Sequence, residues 1–184
     1  EEPKQSPLFD CPVGRIVAAN ARLDIGVTET DEKNYGGKPG GGELPPGVPG
    51  RIDEMLAACG LDNQAQVRAT GEGYYWCAAA VASWWKKAGL QLPPAPQLCR
   101  SWESWGKARG LFSSTPKVGA AILYGTAGSA NHMGIVSSVH EDGSFTTIEG
   151  NASGKRYTSN GDGCYLKTPR PGSYIGFIIP PTCK

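Results

Sequence analysis

The stretch Tyr75-Trp76-Cys77-Ala78-Ala79-Ala80-Val81-Ala82-Ser83-Trp84-Trp85-Lys86-Lys87-Ala88-Gly89 decides how the rest of the chain is read. Positions 77, 80, 81, 84, 85 and 88 are Cys, Ala, Val, Trp, Trp and Ala, an apolar stripe at helical spacing. Lys86 and Lys87 stand near the C-terminal end, where positive charge suits the helix dipole. Gly89 supplies the stop, so the spacing predicts a helix over 77–88. Cys77 opens that helix with its side chain on the buried stripe. Exposed amides of a first helical turn favour a negative charge, which promotes thiolate.

Upstream of it the chain reads as helices and loops. Residues 1–14 hold Pro3, Pro7, Pro12 and Gly14 and read as an irregular arm. Ile16, Ala19 and Leu23 suggest a short helix within 15–26. The Gly/Pro-rich stretch 34–50 must be a loop. Ile52, Met55, Leu56 and Cys59 share a face over 51–59. Downstream, three prolines at 93, 94 and 96 break the chain, and 97–110 reads as a helix carrying Leu98, Trp102 and Trp105.

From Gly119 the character changes. Short β segments are expected at 119–124, 132–139, 144–149, 163–166 and 174–179, with Asp142-Gly143 as a hairpin turn. Helices followed by an antiparallel sheet make an α+β domain. A single domain is expected over 15–184.

Composition removes several function classes. The chain has 184 residues, 18 Lys+Arg against 17 Asp+Glu and a net charge of +1. That balance gives no reason to expect nucleic acid or an anionic membrane surface as partner. No apolar run approaches the roughly 20 residues of a membrane span. No phosphate loop, Gly-x-Ser-x-Gly elbow or His-Glu-x-x-His pair is present. With only His132 and His140, no metal-ligand spacing emerges, and no metal or other cofactor is expected. Six cysteines without a Cys-x-x-Cys pair favour an oxidising compartment.

A cysteine nucleophile needs a base within reach and a third group to orient that base. His132 opens one predicted strand and Glu149-Gly150-Asn151 ends the next. With a two-residue turn at Asp142-Gly143, paired residue numbers sum to 285. Asn151 then lies opposite Gly134 and Glu149 opposite Val136, both on the face of His132. Asn151 is the nearer in that register, and a three-residue turn or a bulge would flip the parity. By default, Cys77 is a small buried hydrophobe and His132 a structural histidine. Their joint context with Glu149 and Asn151 favours chemistry. His140, beside the turn, is expected at the surface.

The aromatic residues before Cys77, the small-residue helix, His132-Met133-Gly134-Ile135-Val136 and Glu149-Gly150-Asn151, in that order, resemble the CHAP group of cysteine amidases and peptidases. That group belongs with the NlpC-type hydrolases in the papain-like superfamily. The resemblance is read over roughly residues 15 to 180. It implies a papain-like fold with the nucleophile at the N-terminus of a central helix. It also implies cleavage of a peptidoglycan amide, either the muramoyl–L-alanine bond or one in the stem or cross-link peptide. Cys77 would be the nucleophile and His132 the base, with Glu149, Asn151 or both orienting the imidazole. Where members often carry Gly-Asp, this chain has Gly119-Ala120.

Tyr75, Trp76 and Trp102 are candidates to line a substrate groove, although most tryptophans are expected in the core. A secreted or periplasmic monomer acting on peptidoglycan is expected. As a toxin delivered into a rival's periplasm it would have a cognate inhibitor. A non-catalytic wall-binding module and a papain-like peptidase acting on proteins are the rival readings. For the disulfides, Cys164–Cys183 and Cys11 with Cys59 or Cys99 are the expected pairings, with Cys77 kept reduced.

Overall fold

The computed structural model describes residues 4–29, 50–71, 73–153 and 163–184. Among the described residues, five α-helices precede six strands in chain order: α1 (Pro12–Arg22), α2 (Arg51–Ala57), α3 (Asn63–Thr70), α4 (Cys77–Lys87) and α5 (Cys99–Ala108), then β1 (Phe112–Ser113), β2 (Ala121–Thr126), β3 (Ser129–Val139), β4 (Phe145–Ala152), β5 (Gly163–Lys167) and β6 (Gly176–Ile178). The strands form one antiparallel sheet in the order β1-β6-β2-β3-β4-β5. The α+β expectation is met. Of the loop expected at 34–50, only Gly50 lies among the described residues.

Helix α4 is the centre of the molecule. An apolar stripe was expected, but every residue from Cys77 to Trp85 is buried. The helix is small enough to be enclosed on all sides because five of those nine positions are Ala or Ser. It packs against α1, α2, β3 and β4. Its polar groups are met inside. The Trp84 indole donates to Asp24 at 2.7 Å, and Arg51 pairs with the same carboxylate at 2.7 Å. Arg51 also donates to the Ser83 hydroxyl at 3.1 Å. A buried ion pair needs such extra hydrogen bonds to offset its desolvation.

Two elements differ from the sequence reading. Helix α1 begins at Pro12, inside the expected arm, and proline suits a first helical turn. The arm itself is tied down: the Ser6 amide donates to the Val139 carbonyl at 2.9 Å and the Val118 amide to the Phe9 carbonyl at 3.1 Å. Helix α3 was not expected at all. It is polar, with Asn63 and Val67 its buried residues, but Asp62 caps it by accepting from the Ala65 amide at 2.8 Å. It matters for the site, because Asn63 accepts from the Tyr74 amide at 3.0 Å and so fixes the approach to α4.

The disulfide expectations are corrected. Cys11 pairs with Cys183, and Cys59, Cys77, Cys99 and Cys164 are free thiols. Cys164 sits in β5 at one edge of the sheet, whereas the chain reaches Cys183 from β6, with three strands lying between. The 3-10 turn holding Cys183 packs instead against α1, which Cys11 precedes.

Candidate active site

The hairpin of β3 and β4 sets the site's geometry through two one-residue slips. The turn has three residues, Glu141–Gly143, closed by the His140 amide donating to the Ser144 carbonyl at 2.8 Å. This moves the register by one. A bulge at Ser137, between the pairs Val136↔Thr147 and Ser138↔Thr146, moves it by one more. Each slip alone would turn the β4 side chains to the other face, and together they restore the parity. The register therefore advances by two, and Glu149 rather than Asn151 lies across from Gly134.

Glu149 reaches His132. Its Oε2 is 3.0 Å from His132 Nε2, with both side chains buried. Gly134 makes room for this. A Cβ at position 134 would stand 2.5 Å from Glu149 Cγ and 2.8 Å from the Ile148 carbonyl oxygen. The other carboxylate oxygen, Oε1, accepts from the Tyr124 hydroxyl at 2.5 Å and from the Thr147 hydroxyl at 2.7 Å. Burial pushes the Glu149 carboxyl up, but His132, Tyr124 and Thr147 together hold it below its ordinary value.

With Nε2 engaged by Glu149, Nδ1 is the imidazole nitrogen left for the Cys77 thiol, and the two side chains interact electrostatically. Burial opposes charge on His132, yet Cys77 and Glu149 outweigh it and raise its pKa to about 9. Cys77 is lowered well below the usual thiol value. The Cys99 thiol is the largest cause, acting against burial, with His132 and the Ala78 amide adding to it. Cys77 is the first residue of α4, and no side chain caps that helix. Its first-turn amides therefore remain available to an anion. These shifts all favour a thiolate on Cys77, an imidazolium on His132 and a carboxylate on Glu149.

The chain of charges opens onto a cleft of about 520 Å³ lined by Tyr75, Cys77, Gln97, Leu98, Cys99, Arg100, Ala130 and Asn131. Tyr75 is 68% exposed, as a groove residue should be. Trp76 and Trp102 correct the expectation, since both are fully buried. Trp76 donates to Glu29 at 2.9 Å and Trp102 to the Pro96 carbonyl at 2.8 Å. Trp102 also packs edge-on against Trp85, ring centroids 5.0 Å apart, joining α5 to α4.

Asn151 is buried and makes no hydrogen bond through its amide among the described residues. It occupies the left-handed region at φ 50°, in the β4 bulge between Glu149 and Ala152. Asparagine tolerates that conformation better than most residues. Its neighbour Gly150 faces α4, where a Cβ would stand 2.8 Å from both Ala80 Cβ and the Trp76 ring. The Glu149-Gly150-Asn151 run thus combines the imidazole's carboxylate with a bulge pressed onto the helix. His140, expected at the surface, is half-buried beside Gln5.

Sequence reasoning missed Tyr124, Thr147 and Cys99. The first two carried a signal: Thr147 shares a strand face with Glu149, and Tyr124 pairs with His132 across β2 and β3. Cys99 carried none, since its approach to Cys77 depends on how α5 returns after the prolines.

A cysteine, a histidine and a carboxylate in this order, with the sulfur at a helix start and the other two on an antiparallel sheet, are the groups that a thiol hydrolase needs. Residues 69–151 match the family model of the CHAP domain, and CHAP domains belong to the papain-like superfamily of cysteine peptidases and amidases. The match runs from the end of α3 to Asn151, a narrower span than the motifs suggested. The family points to peptidoglycan as the substrate and to amide hydrolysis as the general activity. Comparison with curated proteins and with solved structures gives no match.

Proposed function

We propose that the protein is a peptidoglycan hydrolase that cleaves a wall amide through Cys77. The observation that carries this reading is the linked series Cys77, His132 and Glu149 beneath an open cleft. The Cys77 thiolate attacks the amide carbonyl carbon. The backbone N–H of Cys77, at the uncapped start of α4, donates to the developing oxyanion. His132 passes its Nδ1 proton to the leaving nitrogen as the tetrahedral intermediate collapses to a thioester. The neutral imidazole then takes a proton from water, which attacks the thioester and releases the acid. Glu149 fixes the ring's orientation and stabilises its charge throughout. Asn151 shapes the bulge that presents Glu149.

The cleft supports a peptide-stem substrate. Arg100 supplies its charge and Tyr75 an exposed aromatic face, and stem peptides carry free carboxylates. The Cys11–Cys183 disulfide supports action outside the reducing cytoplasm. No helix among the described residues is long and apolar enough to cross a membrane.

Digestion of purified sacculi, with products identified by mass, tests the reading. Wild type is expected to release muropeptides, and Cys77→Ala is expected to release none. Free lactyl-muramoyl ends assign the muramoyl–L-alanine bond, and new peptide amines assign an endopeptidase. No release by wild type contradicts the proposal.

A further inference from the structure

The Cys99 sulfur lies 3.7 Å from the Cys77 sulfur, and both thiols line the same cleft. The Cys99 thiol favours the Cys77 thiolate, but no step of the hydrolytic mechanism uses a second sulfur as a reacting atom. We propose that Cys77 and Cys99 are a dithiol modification site, which a low-molecular-weight disulfide oxidises to an internal Cys77–Cys99 bridge. A disulfide bond is about 2.05 Å long, so the sulfurs must close by roughly 1.7 Å. Side-chain rotation and a small shift at the start of α5 are on that scale.

The chemistry proceeds in two exchanges. The Cys77 thiolate attacks one sulfur of the oxidant RSSR, forms Cys77–S–S–R and expels RS⁻. Cys99 then attacks the Cys77 sulfur, expels the second RS⁻ and gives that group its proton. One protein thiolate, one protein thiol and RSSR become one protein disulfide, one RS⁻ and one RSH. Two electrons pass from the protein sulfurs to the oxidant.

The surroundings favour this order of events. Cys99 is held well above the usual thiol value, first by its bond to Cys77, then by burial and the Cys77 charge. The first exchange removes that charge, so Cys99 becomes easier to deprotonate just when it must attack. The other thiols are poor competitors for the oxidant. Burial raises Cys59 to about 11 and raises Cys164 further. Because Cys77 is the nucleophile of the reading above, the bridged form is inactive as a hydrolase, a consequence that rests on that reading.

The test treats the reduced-thiol protein with oxidised glutathione and maps its peptides by mass without reduction. Wild type is expected to yield a peptide pair joined through Cys77 and Cys99, with Cys11–Cys183 intact. Sacculus digestion falls to the Cys77→Ala level and returns with dithiothreitol. Cys99→Ser, and Cys99→Ala as a second variant, are expected to accumulate glutathione on Cys77 instead. Wild type that holds a lasting glutathione adduct on Cys77, or stays reduced at both sulfurs, overturns the proposal. The bridge is read by mass alone, so its formation in a protein that digests no sacculi would defeat the hydrolase reading and leave the dithiol site standing.

Discussion

At the scale of residues, the site is a series of charges arranged so that each fixes the next. Glu149 is spoken for on both oxygens, by His132 on one side and by Tyr124 and Thr147 on the other. Its rotamer is therefore set before any substrate arrives. Glu149→Ala is expected to lower kcat/KM roughly 10²–10⁴-fold, as loss of an orienting carboxylate does. Asn151→Gly keeps the left-handed backbone and removes only the amide, so its activity is expected to stay within about tenfold of wild type. Kinetics on a soluble muropeptide checks both, and equal losses would return Asn151 to the imidazole. The sequence grouped Cys77 and His132 with Glu149, Asn151 or both. It left the choice between them to the register, which depends on the Glu141–Gly143 turn and the Ser137 bulge. Neither slip has a sequence mark strong enough to count in advance.

At the scale of elements, α5 and the β2–β3 hairpin hold the cleft open. Glu103 on α5 is buried, yet its carboxylate accepts from the Gly128 amide at 2.7 Å, the Ala130 amide at 3.2 Å and Lys107 at 2.7 Å. It pins the hairpin next to Ala130 and Asn131, which line the cleft. Glu103→Gln replaces one acceptor oxygen with a donor facing either the Gly128 or the Ala130 amide. A loss of about 1–3 kcal/mol is expected, as for a buried bond left unmet. Faster amide exchange at 128–131 and a raised KM are expected with it. Unchanged exchange at those amides would contradict this role. Elements with strong periodicity were legible: α4 begins at the expected Cys77, and β3 ends at the expected Val139. Helix α3 was not legible, because a polar two-turn helix has almost no apolar period to detect. The Asp62 cap and Gly71 at its end were the available signals.

At the scale of the whole molecule, the ends are joined by Cys11–Cys183 across 172 residues of chain. The bond ties the start of α1 to the turn after β6, on the side of the sheet order remote from β5. Removing a native disulfide of this kind typically costs about 2–5 kcal/mol. Cys11→Ser is expected to lose that much in urea denaturation, while Cys164→Ser, which breaks no bridge, is expected to keep the wild-type disulfide. A Cys11→Ser variant as stable as wild type would mean that the ends are held by packing alone. The global architecture was legible as helices before an antiparallel sheet. Which cysteines met was not, since connectivity follows strand order, and the sheet places β6 between β1 and β2.

The account rests on Cys77 being held toward thiolate, by the Cys99 thiol first and by His132 beside it. The pH dependence of alkylation by iodoacetamide, followed at Cys77 by peptide mass, measures that directly. As pH rises, wild type is expected to gain reactivity well below the ordinary thiol value of 9 and to hold it through neutrality. Hydrolysis should then fall as pH passes about 9, where His132 gives up the proton that the leaving nitrogen needs. In His132→Ala the alkylation midpoint is expected to move up. A wild-type midpoint at the ordinary thiol value, unmoved by His132→Ala, would contradict the account.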